Sequence, residues 1–533
     1  MAENFIKAIG GYGEFGANCT LISVNGHGVV IDSGVKFSGN DFDGIEKLLP
    51  DFSLIESEED TIIDAVIITH AHEDHIGAID ALMTNLKCPV YCTYYTINLV
   101  RYKLDEAKIH RKIIPVQEGK KYSVNKAISF NVYEMEHSIP DSCSIRMEIE
   151  EFSFFISGDF RNGSKFPGFA DDKMSVDFMF CDSTASMEFH EGPQEEMILE
   201  SFTKILRESS GRVFFTLFSS NIDRLNLILK AAEFTERKVA LIGRGLKTHF
   251  YNAVERGFLP LTEHLPPEMV SSYPQSRQVF VISGSQAELF STLNRLSLQT
   301  FNDFKIVPDD TVVFSSRAIP GREVAISRMC DRILKLGAKI VDSLNNIPLH
   351  SSGHGNRLDI TDLINSVNPG IFIPHHGSYR HMCEAAKIAD KQGVQDTVII
   401  ENSDKIVFSD SEFSILKGEG STPVIIDTPS GSILSTRHLK ERRKIAAKGI
   451  AVVSYYRLKN SISVNFEFAG IGNPEVDVLL KESVERKLIK NYDPLMKRER
   501  LTELSRQTVS EIFKKIYGKK PFVIVMIKDK EEK

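Results

Sequence analysis

Several features are scarce in this chain, and each scarcity excludes something. Of its 533 residues only seven are cysteine, an odd and scattered set, which excludes a disulfide framework and predicts reduced, structural thiols in a cytoplasmic protein. Cys88 and Cys92 form the one close pair, and nothing beside them resembles a thiolate metal site. No apolar run approaches the ~18–20 residues of a membrane span. The opening residues Met1-Ala2-Glu3-Asn4-Phe5-Ile6-Lys7 lack the basic-then-apolar order of a secretory leader, so no membrane association is expected. There is no internal repeat and no low-complexity segment.

What is present is ordinary in proportion. Hydrophobic residues make up 42% and charged residues 26%, the balance of a globular protein with room for three or four domains. The net charge of −8 argues at first against a polyanionic partner, but it hides a split. From Arg437 onward 23 Lys and Arg face 13 Asp and Glu, a balance of +10, while the preceding residues sum to −18. A basic tail on an acidic body is compatible with a solvated face as well as with nucleic acid.

The first 160 residues read mainly as strands and tight turns. Thr20–Val24 and Val29–Asp32 are joined by Asn25-Gly26-His27-Gly28, a hairpin signal. Asp64–Ile68 and Phe152–Ile156 are strands of the fully buried kind. From about Gly192 to Leu349 helices and strands alternate: a helix over Glu195–Arg207, a strand over Val213–Leu217, a helix over Arg224–Phe234, a strand over Val239–Ile242. That alternation predicts a parallel α/β unit. Strand-and-turn texture returns from Gly370 to Thr436, as though the middle block interrupts the first domain. The basic tail predicts a strand over Gly449–Tyr456, helices over Glu475–Lys490 and Leu501–Tyr517, and a last strand over Phe522–Ile527.

One motif is a decoy. Gly11-Tyr12-Gly13-Glu14-Phe15-Gly16 matches G-x-G-x-x-G, with Asp32 at the spacing of a ribose contact. A dinucleotide site needs a helix opening at that loop, yet Cys19-Thr20-Leu21-Ile22-Ser23-Val24 is strand-like.

The chemistry lies further on. The strand ending at Ile68 runs into Thr69-His70-Ala71-His72-Glu73-Asp74-His75. Three imidazoles and two carboxylates in six residues are costly to bury without a cation, and both are good ligands for zinc or manganese. His70 and His72 lie two apart in an extended loop and Asp74 and His75 open the next helix, so one segment can serve two ions. More distant ligands must complete the shells. His137, Asp159 and His376 follow apolar strands at similar junctions, in Glu136-His137-Ser138-Ile139-Pro140-Asp141, Ser157-Gly158-Asp159-Phe160 and Ile373-Pro374-His375-His376-Gly377.

In this order the motifs resemble the metallo-β-lactamase superfamily, its β-CASP nucleic-acid-processing branch, and within it the ribonuclease J family. The likeness continues through Asp182-Ser183-Thr184, Ser219-Ser220-Asn221, Gly243-Arg244, Ser283-Gly284-Ser285-Gln286, Ile319-Pro320-Gly321 and Ser352-Gly353-His354. It implies an α/β protein: an αββα sandwich with an inserted β-CASP domain and a small C-terminal α/β domain. The expected segments are 1–190 and 350–436 for the sandwich, 191–349 for the insertion and 437–533 for the tail. The resemblance gives His70, His72 and His137 to one ion, Asp74, His75 and His376 to the other, and Asp159 to both. Asp182 and His354 fall beside the scissile phosphate, His354 to protonate the leaving oxygen and Asp182 to orient a ligand or the nucleophile. Ser352, Gly353, Gly355 and Asn356, with Ser220 and Arg244, fall to RNA and phosphate binding; Asn356 stands where the family usually carries serine. The implied cofactors are two divalent ions, zinc first, with manganese or magnesium as alternatives, which lower the pKa of a water and stabilise an in-line phosphoryl transition state. The implied activity is 5′→3′ exonucleolytic hydrolysis of single-stranded RNA, with endonuclease activity besides, in RNA maturation and decay. The tail would join copies into a homodimer or homotetramer.

Three other readings are weighed against this one. A DNA-directed exonuclease would use the same ligands. A small-molecule hydrolase such as a lactonase leaves the insertion and basic tail without a purpose, and a non-catalytic RNA-binding subunit leaves the complete ligand set without one.

Overall fold

A computed structural model describes the chain apart from residues 1–2, 38–46, 162–173, 190–191, 261–263, 289, 320, 411, 421–423, 428–431, 435, 459–460, 472–473 and 530–533. Pro320 and the expected boundary at 190/191 lie outside the described residues. The chain divides into two units, one of residues 1–37 and 47–424, the other of residues 38–46 and 425–533.

The first unit is built on two facing sheets. One has eight strands in the order Phe413–Leu416, Lys405–Phe408, Phe5–Gly10, Cys19–Val24, His27–Ile31, Ile62–Ile67, Val90–Thr93, Ile113–Val116. The other has seven: Lys121–Ser123, Ile128–Glu134, Cys143–Ile149, Phe152–Ile156, Val176–Asp182, Pro369–His375, Asp396–Thr397. The central strands are apolar on both faces, and the period of two distributes them between two cores. Ile6, Ile22, Val29 and Ile67 meet Phe130, Ile145, Phe154 and Phe178 between the sheets. Phe5, Leu21, Val30 and Val66 turn outward to helices Ile79–Asn85 and Tyr94–Glu106. On the far side Phe155, Met179 and Phe372 meet helices Arg357–Val367 and Tyr379–Lys391. This is the αββα order of layers.

The chain leaves the seven-stranded sheet at Asp182 and returns at Pro369 on the neighbouring strand, parallel and in register, with Asp182 opposite His375. Between those points lies a separate sheet of five parallel strands, ordered Lys238–Ile242, Gln278–Ile282, Val213–Thr216, Thr311–Phe314, Lys339–Val341. Its helices include Glu195–Glu208, Ile222–Phe234 and Arg244–Glu255. The insertion shares a core with the sandwich: Phe202, Phe215 and Phe250 belong to one apolar cluster with Tyr95 and Ile97.

The second unit carries a three-stranded sheet, Ser461–Ala469, Ile450–Leu458, Phe522–Asp529, with helices Thr436–Lys448, Pro474–Lys490 and Arg498–Tyr517. Tyr455, Phe466, Val484, Leu488 and Phe513 form its core.

Three expectations need correction. The first 160 residues contain the 13-residue helix Tyr94–Glu106, whose β-favouring Tyr-Tyr-Thr-Ile start is overruled by packing of Tyr95, Leu99 and Val100 against the sheet. The stretch from Gly370 to Thr436 contains helix Tyr379–Lys391, where Met382, Ala385, Ala386 and Ala389 make a buried stripe of helical period. The tail has a further strand at Ser461–Ala469 and a further helix at Thr436–Lys448. All seven cysteines are free and five are buried. Among the described residues no helix is long and apolar enough to cross a membrane.

Candidate metal centre

Each candidate ligand hangs from the end of a strand or the first turn after one. Ile62–Ile67 delivers Thr69 to His72, and the short helix Glu73–Ile76 begins at once, carrying Asp74 and His75. Phe152–Ile156 delivers Asp159, and Pro369–His375 delivers His376. His137 lies just beyond the strand Ile128–Glu134. The loop after Gly16 leads into strand Cys19–Val24 rather than a helix, so the G-x-G-x-x-G match has no phosphate-binding helix end.

The structure brings the seven metal-ligand candidates into two groups that share one residue. His70, His72, His137 and Asp159 have ligand atoms all within 4.8 Å of one another, and so do Asp74, His75, Asp159 and His376. In the first, His72 Nδ1 lies 3.1 Å from His70 Nε2 and 3.0 Å from His137 Nε2, while Asp159 Oδ2 lies 3.6 Å from His70 Nε2 and 3.8 Å from His137 Nε2. In the second, Asp74 Oδ2 lies 3.2 Å from His376 Nε2 and 4.0 Å from His75 Nε2, and Asp159 Oδ1 lies 3.3 Å from His75 Nε2. Metal–nitrogen bonds of about 2.0–2.1 Å place tetrahedral ligands about 3.4 Å apart. Both groups have that spacing, and the donor set fits divalent metal binding.

Neighbouring groups hold the ligands in place. His137 Nδ1 donates to the Gly353 carbonyl at 2.5 Å, which leaves the Nε2 lone pair facing the cluster. A Cβ on Gly353 would stand 2.8 Å from His137 Cε1, so the approach requires glycine. His75 Nδ1 donates to Asp32 Oδ2 at 2.7 Å, and Asp32 also accepts the Thr69 N–H at 2.8 Å. Asn18 Nδ2 lies 3.0 Å from His75 Nε2, and the Thr184 hydroxyl donates to the His376 carbonyl at 2.8 Å. Asp32 and His376 adopt φ of 61° and 53°, a left-handed backbone that non-glycine residues hold at functional sites when the surroundings impose it.

The electrostatics of the two groups differ. Burial pulls the His70 and His137 imidazoles well below their ordinary value, neighbouring imidazoles push the same way, and His72 is held at about 4. For His75 and His376 burial works in the same direction, but Asp159 leads the carboxylates that overcome it, lifting His75 to about 10.

Asp182 and His354 join the same centre. His354 Nδ1 lies 2.8 Å from Asp182 Oδ2 and 3.7 Å from Asp159 Oδ2. Burial opposes a charge on His354, yet Asp182 and Asp159 raise its pKa above the ordinary value. Asp182, His70, His75, His137, Asp159 and His376 are buried, whereas His72, Asp74 and His354 line the open side.

The loop around His354 is tightly made. Ser352 Oγ accepts the His354 N–H at 3.1 Å, and Asn356 Oδ1 accepts the N–H groups of Leu358 and Asp359, capping helix Arg357–Val367. Gly355 lies against Phe160, with 2.8 Å left for a Cβ. Ser220 and Arg244 stand on the inserted domain, where a Cβ on Gly245 would be 3.7 Å from Ser219 Oγ, so that loop and helix start are neighbours. The same helix carries His249, whose Nδ1 is 2.9 Å from Tyr95 Oη and whose pKa is held near 4 by burial first and then by His72.

Asp32, Thr69, Thr184 and His249 are given no role at the metal centre by the sequence motifs. Asp32 ends strand His27–Ile31 as Asp159 ends its own, a signal obscured by the ribose spacing; Thr69 and Thr184 stand inside the motifs without a role of their own, and His249 carries no sequence signature.

Comparison with known proteins agrees with this architecture. The description "Metallo-beta-lactamase superfamily" matches residues 12–171, "Ribonuclease J, beta-CASP domain" matches 210–333, and "Zn-dependent metallo-hydrolase RNA specificity domain" matches 345–400. Ribonuclease J of Mycolicibacterium smegmatis is 31% identical over 411 residues, covering 74% of this chain and 73% of the relative. Ribonuclease J of Sinorhizobium meliloti is 28% identical over 561 residues, covering 97% and 96%. A crystal structure of a protein of unknown function from Enterococcus faecalis superposes with a TM-score of 0.54 at 14% identity, covering 76% of this chain and all of that one, a likeness of fold.

Proposed function

Since the chain belongs to the ribonuclease J family, and is a metallo-hydrolase nuclease acting on RNA, we propose that it degrades single-stranded RNA in the 5′→3′ direction, releasing mononucleotides, and also cuts internally. The observation that carries this reading is the division of Asp159: Oδ2 faces the His70, His72 and His137 group and Oδ1 faces the Asp74, His75 and His376 group. Asp159 would thus help to hold both of two divalent ions, zinc first, with manganese or magnesium as alternatives. When bound, such a pair supplies an activated water and stabilises the charge of an in-line phosphoryl transition state.

The chain's own groups do the rest. His354 carries a proton on the open side and gives it to the departing 3′ oxygen, and Asp182, 2.8 Å away, keeps that imidazole charged and oriented. The loop Ser352, Gly353, Gly355 and Asn356 receives the 5′-terminal phosphate, and Ser220 and Arg244 on the inserted domain bind the RNA backbone. The tail joins copies into a dimer or tetramer; in support, Val478, Leu479, Leu495 and Met526 expose 67, 68, 92 and 46% of their surface. The seven free thiols suit action in the cytoplasm.

End-labelled RNA bearing a 5′-triphosphate, monophosphate or hydroxyl, digested beside DNA of the same sequence, tests the reading. Mononucleotides released fastest from 5′-monophosphorylated RNA are expected. Preferential loss of DNA would replace it, and no product with zinc, manganese or magnesium would end it.

A further inference from the structure

The segments that carry Asp182 and His354 meet again a few residues downstream of both. Seven residues past Asp182, Phe189 exposes 67% of its surface. Three residues past His354, Arg357 places its guanidinium 4.7 Å from the centroid of the Phe189 ring. A single exposed phenylalanine ordinarily means nothing, but this one is held. The Arg357 N–H donates to the Glu188 carbonyl at 3.2 Å, the Glu188 carboxylate pairs with Arg317, and Arg357 Nη1 is anchored 3.1 Å from Glu384 Oε2. Arg357 is also the first residue of a helix capped by Asn356. The ring is therefore fixed on one side by a cation that is itself fixed, while its surface stays open to solvent where the segments that carry the two residues assigned to the scissile phosphate come together.

An open aromatic face backed by arginine is the arrangement that proteins use to stack nucleobases of single strands, because every base has a π-face and the cation adds attraction for the ring and for phosphate. We propose that Phe189, backed by Arg357, is a stacking platform for one base of the RNA strand engaged at the metal centre, and that it positions the strand without touching the reacting atoms. This inference rests on the RNA-nuclease reading above.

The chain contains no tryptophan, so F189W installs the sole indole at the proposed contact. Titrating metal-loaded F189W with 5′-monophosphorylated phosphorothioate RNA is expected to quench its emission in step with binding followed by polarisation. In steady-state digestion F189A is expected to raise KM by about 5- to 100-fold, the worth of one stacked base, with a much smaller change in kcat, and F189Y to restore KM. A single abasic residue moved along the RNA is expected to weaken binding to the wild type at one position and to leave F189A insensitive there. Unchanged emission through a saturating titration, or a KM for F189A within twofold of wild type while the wild type digests RNA, overturns the platform and leaves the nuclease reading intact. A wild-type protein that digests no RNA overturns both.

Discussion

The two halves of the metal centre share Asp159 but are held by different means. On the His70, His72 and His137 side the imidazoles are kept uncharged by burial and by one another, and His137 is fixed by a main-chain carbonyl that approaches only because residue 353 is glycine. On the Asp74, His75 and His376 side carboxylates dominate, and His75 is oriented by the Asp32 side chain. The first half is backbone-built and, apart from the shared Asp159, lined with imidazoles; the second is side-chain-built and richer in carboxylates. The difference teaches where each half is vulnerable: the first to anything that moves the Gly353 loop, the second to single side-chain substitutions well behind the ligands.

The bridging residue provides the most severe test. D159N is expected to lower RNA cleavage by roughly 10⁴-fold or more, as several kcal/mol of transition-state stabilisation is lost, and to empty both halves in metal analysis. H137A and H376A should each lose one ion and keep the other. H354Q is expected to lose about 10²- to 10³-fold in kcat with metal content intact if His354 acts as the proposed proton donor; loss of an ion would instead make it a ligand in the group with Asp159, Asp182 and His376.

A pH profile probes the Asp182–His354 pair. Because Asp182 helps raise the His354 pKa, the protonated, working form survives above the ordinary histidine value of about 6.5, and activity falls as pH rises through the raised value. D182N is expected to move that falling limb to lower pH; an unmoved limb would assign the proton to another group.

Smaller effects separate the two halves. D32N is expected to weaken only the second-half ion, by about 10- to 100-fold, as removal of a histidine's orienting partner does elsewhere. G353A should disturb only the first, by driving a methyl group against His137. Equal losses in both halves for either variant would break the comparison. Smallest of all for catalysis, L479E in the tail should leave both ions bound and shift the assembly toward monomer in light scattering.

Much of this centre was legible in the chain because its ligands are concentrated and their neighbours are strongly patterned. H-x-H-x-D-H follows an apolar strand, and Asp159 and His376 end strands just as apolar, so the junctions announce themselves. Asp32 was visible only as part of a nucleotide decoy, since its partnership with His75 depends on two strands brought side by side. Phe189 has no motif; its setting arises because the insertion leaves and re-enters the sheet on adjacent strands, which brings the sequels of Asp182 and His354 together. The helix Tyr94–Glu106 was hidden by β-favouring residues and the strand Ser461–Ala469 by a charged, basic setting, although Ile462, Val464, Phe466 and Phe468 alternate at period two.

The proposed nuclease chemistry requires that Asp159 make two ions work as one. Metal-stripped protein titrated with zinc, with mononucleotide release from 5′-monophosphorylated RNA followed at each addition, tests that directly. Activity is predicted to stay near background through the first equivalent and to rise as the second binds. Full activity at one equivalent per chain would contradict it.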